Sequence, residues 1–220
     1  MLRAYFAKEG NAIWISHLDL MRVLQRSFRR AGLLLRHSQG FTPHPMLSLA
    51  LPMSVGVSSQ CEVMDFALAE GQDTSMLAER LNAVLPEGIF IYEVYEAETK
   101  IKNLTHLKVE VAMEYDRGIP DECEYTLMTQ LFDRDEILVE KQTKSGAVVT
   151  QNIRDMIKQL VLGQADANTV TLDMVICAQN PTLNPAAIPA AIAKELPALA
   201  PDFFRIRRLA ALTADGTVFR

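Results

Sequence analysis

The run from His17 to about Ala31 restricts the folding choices of this chain more than any other segment. Leu20, Val23, Leu24, Phe28 and Ala31 follow i, i+3, i+4, i+8 spacing, one apolar stripe of an α-helix. Arg22, Arg26, Arg29 and Arg30 follow the same spacing on the opposite side. A helix of this kind buries one face only, so it has to lie as a layer on a sheet.

The neighbouring segments supply that sheet. LRAYFA near the N-terminus is strand-like, and EGN is turn chemistry before AIWI, which reads as a hairpin or as one interrupted strand. After the helix come strand LSLAL (47–51) and strand CEVMDFAL (61–68), the latter apolar on both faces and therefore central. A second helix is expected over 74–85, stopped by Pro86 and Gly88, and IFIYEVYE (89–96) closes the half. The order is β-α-β-β-α-β.

Beyond a polar linker (97–105) the order recurs. Leu107, Val109, Val111, Met113 and Tyr115 alternate with polar or small residues, the period of a half-buried strand. Pro120 opens a helix to about Phe132, and strand EILVEKQ follows. Residues 148–162 read equally as strand or short helix. Val170 to Ile176 form a strand, Asn184 and Pro185 start an alanine-rich helix, and FFRIRRLAAL (203–212) is the last strand. The expected fold is α+β, two tandem ferredoxin-like (βαββαβ) domains over 1–98 and 104–220.

Composition narrows the class. With 49% hydrophobic and 22% charged residues over 220 positions, the chain is a soluble globular protein with enough length for one or two cores. No apolar run approaches the ~20 residues of a membrane helix. MLRAYFAKEGN lacks an apolar core of signal-peptide length, so a cytoplasmic protein is expected. Cys61, Cys123 and Cys177 are scattered, which suits reduced, buried thiols and neither a disulfide framework nor a metal cluster. No cofactor motif is present: there is no GxGxxG, Walker, H-E-x2-H or C-x3-C-x2-C pattern.

The net charge of −5 hides an asymmetry. Arg3, Lys8, Arg22, Arg26, Arg29, Arg30 and Arg36 stand against Glu9 and Asp19 in the first 45 residues, whereas the remainder is acidic. A local basic surface steers phosphates even at low overall pI.

Candidate site residues concentrate in the same stretch. Ser16 is a good N-cap and Asp19 falls at N3, so both have a capping role beside any functional one. The arginines form either a solvated helix face or a phosphate-binding one. Their single sign, without interleaved glutamates, and the planar guanidinium fork favour phosphate. His17 projects close to the apolar side. Ser38-Gln39-Gly40-Phe41-Thr42-Pro43-His44-Pro45 reads as a stiff, extended loop. It presents Gln39 as an amide reader, Phe41 as a stacking ring and His44 as a donor or acid–base group, or it connects elements with Phe41 turned into the core. Glu62 begins the next strand.

The strings ISHLDLMR, RRAGL and SQGFTPHP, with LSLALP and SSQCE after them, strongly resemble the bacterial radical-SAM-linked protein family. That family is a domain of unknown function found beside or fused to a B12-binding-type radical SAM enzyme, often near ribonuclease and ribosomal-protein genes. The resemblance covers about residues 1–70. It implies that Ser16, His17, Asp19, Arg22, Arg30, Ser38, Gln39, Gly40, Phe41, Pro43, His44 and Glu62 occupy signature positions; with no C-x3-C-x2-C pattern in this sequence, any radical SAM enzyme it works with is expected to be a separate chain.

Three functions follow as expectations. The leading one is a non-catalytic, RNA-binding or substrate-presenting accessory protein, with RNA and a radical SAM enzyme as partners, and neither membrane nor DNA. No strand carries the aromatic pair of an RNA-recognition motif, which counts against a standard RNA-binding sheet. The second is an RNA-processing or hydrolytic enzyme using His17 and His44 with Asp19 or Glu62. The third is an adaptor that docks on the radical SAM partner.

Overall fold

Alternation puts Leu2, Ala4 and Phe6 on one side of the first strand, β1 (Leu2–Lys8), and the computed structural model, which describes residues 1–142 and 146–220, buries that side. The chain has a mixed α+β fold, with four α-helices among the described residues and strands paired antiparallel in each resolved register. It divides into two compact units. The first comprises Met1–Leu104, Arg208–Ala211 and Val218–Arg220; the second comprises Thr105–Arg207 and Leu212–Thr217.

In the first unit β1 is followed by α1 (His17–Arg30), β2 (Leu47–Leu49), β3 (Val57–Phe66), α2 (Leu77–Asn82) and β4 (Ile89–Glu96). The strand order is β4-β1-β3, with β2 also pairing β3. Leu20, Leu24 and Phe28 of α1 pack with Ala4, Phe6, Met64, Phe66, Ile89 and Ile91 of the strands and with Leu77 and Leu81 of α2. Phe28 meets Phe66 edge to face, ring centroids 4.7 Å apart. The helical stripe read from the sequence is thus the stripe that is buried.

Two elements depart from expectation. AIWI is neither a hairpin arm nor a continued strand; Gly10–Trp14 forms a 3-10 turn. The Glu9 amide donates to the Gly88 carbonyl at 2.7 Å, and the buried Lys8 ammonium donates to the Ile13 carbonyl at 3.0 Å, which draws the segment back over β1. The second helix is shorter than 74–85. The Asp73 carboxylate accepts from the Ser75 amide and hydroxyl, and Met76 takes a left-handed conformation, so the helix starts late. At its end the Asn82 side chain pairs with both backbone groups of Ile91.

In the second unit β5 (His106–Glu114) leads to α3 (Glu122–Phe132), whose N-cap Asp121 forms a full capping box with Glu124. β6 (Leu138–Gln142) and β7 (Val148–Asn152) pair antiparallel as a separate two-stranded sheet. The ambiguous residues resolve into β7, a 3-10 turn and β8 (Ile157–Gln164), followed by β9 (Thr169–Cys177). Here β9 lies between β5 and β8, antiparallel to both. After α4 (Ala187–Glu195), residues Phe203–Arg207 of β10 (Phe203–Leu212) lie beside β5. Among the described residues no helix is long and apolar enough to cross a membrane.

Candidate functional site

The start of α1 is a cap. The Ser16 hydroxyl accepts the Asp19 amide at 3.2 Å and donates to the Asp19 carboxylate at 2.7 Å. The other carboxylate oxygen holds Arg22 at 2.8 Å. Aspartate is one methylene too short for the glutamate role of a capping box and bonds the cap side chain instead. The Ser16 hydroxyl, then Arg22, hold the Asp19 carboxyl below the usual range, so it stays charged.

The end of α1 creates a cleft. Gly32, at φ +71°, donates to the Arg29 carbonyl, and Leu33 donates to Phe28, the Schellman pattern. The RRAGL string thereby reverses the chain and lays Leu33–Leu35 beside the helix it has just left. Residues 34–37 are held there by bonds from Leu34 to Gln72, Ala69 to Leu34 and Arg36 to Ala67. The cleft so formed has a volume of about 280 Å³. Its helix wall carries Arg22, Gln25, Arg26 and Arg29; its opposite wall carries Leu33, Leu34 and Leu35, with His37 and Pro45 at one end. No carboxylate is among its lining residues. Asp19 neutralises Arg22 in part, whereas Arg26 and Arg29 have no ion-pair partner among the described residues.

The signature loop stands on the same cleft. His37 and Pro45 form a bridge at its base. Above it the Ser38 amide donates to the His44 carbonyl at 2.9 Å, and the Ser38 hydroxyl accepts the His44 amide at 3.1 Å and meets ring Nδ1 at 2.8 Å. Gly40 sits at φ +138°, a conformation that side-chain-bearing residues resist. Gln39 and Phe41 are exposed at the tip, and the Phe41 ring is fully so, which answers the alternative that it turns inward.

Other predicted residues go elsewhere. Arg30 turns from the cleft and donates to the Val84 carbonyl and towards Ser27. Glu62 is buried and takes Arg208 at 3.1 Å, while Arg208 also donates to the Pro52 carbonyl. Lys8 is buried near this pair, and burial pushes its amine below the ordinary range. His17 is half-buried, and its Nδ1 has no hydrogen-bond partner among the described residues. The second unit's Arg205, on its last strand, is held by Glu114 at 2.5 Å.

Of the seven cations that made the N-terminal region basic, Arg3 and Lys8 are interior. Arg3 forks onto both oxygens of Asp65 at 2.7 and 3.0 Å, with Phe219 stacked on it. The basic surface is therefore narrower than the count suggests and is centred on the cleft. Cys61 and Cys177 are buried free thiols, and burial pushes Cys61 up to about 12; the Cys123 side chain lies outside the described residues. Among the described residues no three His, Cys, Asp or Glu side chains are grouped to hold a metal ion.

Sequence reasoning missed the leucine wall of the cleft, although Gly32 in RRAGL was a usable signal for the reversal. It also missed an aromatic row in the first unit. Tyr5 contacts Tyr92, and Tyr92 contacts Phe90, at centroid distances of 5.7 and 5.5 Å. Arg220, bound to Glu93, lies over Tyr5.

The comparisons with known proteins bear on the fold and the family. One chain of a Cbf5-Nop10-Gar1 complex is similar in structure, with a TM-score of 0.51 and 9% identity over 96% of this chain and 48% of that one. This chain thus spans about half the length of that neighbour, and the likeness is one of fold alone. An unknown protein from Galdieria sulphuraria aligns over 94% of this chain and 96% of its own, at 9% identity and a TM-score of 0.23. No curated protein matches by sequence. A family model, described as an uncharacterized protein conserved in bacteria, matches residues 1–185.

Proposed function

We propose, from the premise that this chain belongs to the DUF2344 family of uncharacterized bacterial proteins, that it is a non-catalytic RNA-binding accessory protein. The observation that carries this reading is the cleft of Arg22, Arg26, Arg29 and His37, one-signed and free of carboxylates. Guanidinium forks spaced along one helix face match successive phosphate oxygens, and phosphate contacts dominate RNA affinity. The acidic remainder of the chain disfavours non-specific adhesion to nucleic acid, so binding is confined to this patch.

Three of the four groups that a hydrolytic enzyme would need are committed to separate contacts, Asp19 to Ser16 and Arg22, Glu62 to Arg208, and His44 to Ser38. That dispersal favours binding over catalysis. The resemblance of the signature strings to radical-SAM-linked proteins supplies the partner in this reading, a separate radical SAM enzyme acting in RNA or ribosome maturation in the cytoplasm. We also read each unit as ferredoxin-like, from the order β4-β1-β3-β2 in the first and β10-β5-β9-β8 in the second.

Affinity purification from native cells tests the reading. RNA that salt strips from the protein is the expected result, together with a radical SAM enzyme that stays after nuclease treatment. Protein that carries no RNA at low salt would contradict it.

A further inference from the structure

We infer that the cleft and its loop together take an unpaired nucleotide of single-stranded RNA, with phosphate on the arginine wall and the adjacent base stacked on Phe41. The inference rests on the RNA-binding reading and adds the substrate class.

The cleft has two chemistries. Arg22, Arg26 and Arg29 line one side, and Leu33, Leu34 and Leu35 the other, with Leu34 exposed. A bare inorganic anion has no use for an apolar wall, whereas a nucleotide carries an anionic backbone and a flat apolar ring. The loop adds a second, independent feature. Phe41 is fully exposed, yet it does not sit on a slack segment. Three hydrogen bonds between Ser38 and His44, the Gly40 conformation and Pro43 hold the tip in one shape. A large ring held out into water on a closed loop is a ready surface for stacking, and stacking on an aromatic side chain is how unpaired bases are held. His37 and Pro45, which line the cleft, are the two ends of the loop that carries the ring. The phosphate wall and the ring therefore belong to one local structure. A duplex keeps its bases paired and inside, so it can offer phosphates to the arginines but no free base to Phe41.

The test uses the full chain and a labelled single-stranded RNA of about 12 nucleotides, within the usual site sizes, the same RNA in duplex form, and uridine monophosphate. The expected result is tighter binding of the single strand than of the duplex. Phe41→Ala, an exposed change that leaves the core untouched, should weaken single-strand binding roughly 5- to 150-fold. Duplex binding and the salt dependence should not change in that variant. Unchanged single-strand affinity in Phe41→Ala would overturn the inference while leaving the RNA reading intact. Uridine monophosphate binding as tightly as the RNA would also overturn it, by making a free nucleotide the ligand. Failure of the wild-type chain to bind either RNA would instead remove the reading on which it rests.

Discussion

Ser38 and His44 close the signature loop on itself: the Ser38 hydroxyl accepts the His44 amide at 3.1 Å and meets the ring Nδ1 at 2.8 Å. Ser38→Ala removes both contacts and leaves the Ser38 amide bond to the His44 carbonyl in place. Each lost hydrogen bond is worth about 1 kcal/mol. Hydrogen exchange at the His44 amide, which donates to that hydroxyl, should therefore rise several-fold, without a shift in the global unfolding midpoint. Unchanged exchange would mean that the proline-bounded backbone, and not the clamp, orders the tip.

The cap of α1 makes a separate prediction. Ser16→Ala should cost about 1 kcal/mol in denaturant unfolding. The Asp19 carboxyl is depressed in the folded state by Ser16 and then by Arg22. A depressed acid contributes stability above its unfolded value and loses it as pH falls through the folded value. Unfolding midpoints measured downward from pH 5 should fall more steeply for the wild type than for Asp19→Asn. Parallel curves would show that the contact adds nothing to folding.

Glu62 and Arg208 form a pair that is almost wholly interior, at 3% and 9% exposure. Glu62→Gln leaves the guanidinium buried against a neutral partner, and Lys8 close by adds to the unbalanced charge. A loss of about 3–5 kcal/mol is expected. The double variant Glu62→Leu with Arg208→Met should recover much of it, since removing both charges leaves neither unpaired. A Glu62→Gln variant as stable as the wild type would show that the pair is solvated.

These contacts also mark what could be read in the chain alone. α1, β4 and β10 fall where helical spacing or strand-forming residues put them, because each carries its own period and its own stops. That residues 38–45 form a loop was legible from Gly40, Pro43 and Pro45. Closure of that loop was not, because a serine and a histidine at that separation carry no local signal. The 3-10 turn at Gly10–Trp14 was hidden for the same reason, since it depends on Gly88 and on burial of Lys8. Arg30 looked equivalent to Arg26 and Arg29 by spacing, and only the end of α2 draws it away. The cleft needed the reversal at Gly32, and the row of Tyr5, Tyr92 and Phe90 needed the pairing of β1 with β4.

Gly88 tests the packing that places the turn. It sits at φ +86°, and a Cβ there would stand 2.3 Å from the Glu9 carbonyl oxygen. Gly88→Ala should lower stability by about 1–3 kcal/mol from backbone strain alone, with more from the clash. Thermal unfolding would report it, and a variant as stable as the wild type would mean that the turn moves freely.

The central claim is that the arginine wall binds RNA phosphates, and the salt dependence of RNA affinity measures it most directly. The variant Arg22→Ala with Arg26→Ala and Arg29→Ala should flatten the slope of log K against log salt by about 2, at roughly 0.7 per phosphate for a single strand. Its affinity at low salt should fall with the slope. The same slope and affinity as the wild type would show that the cleft does not hold RNA.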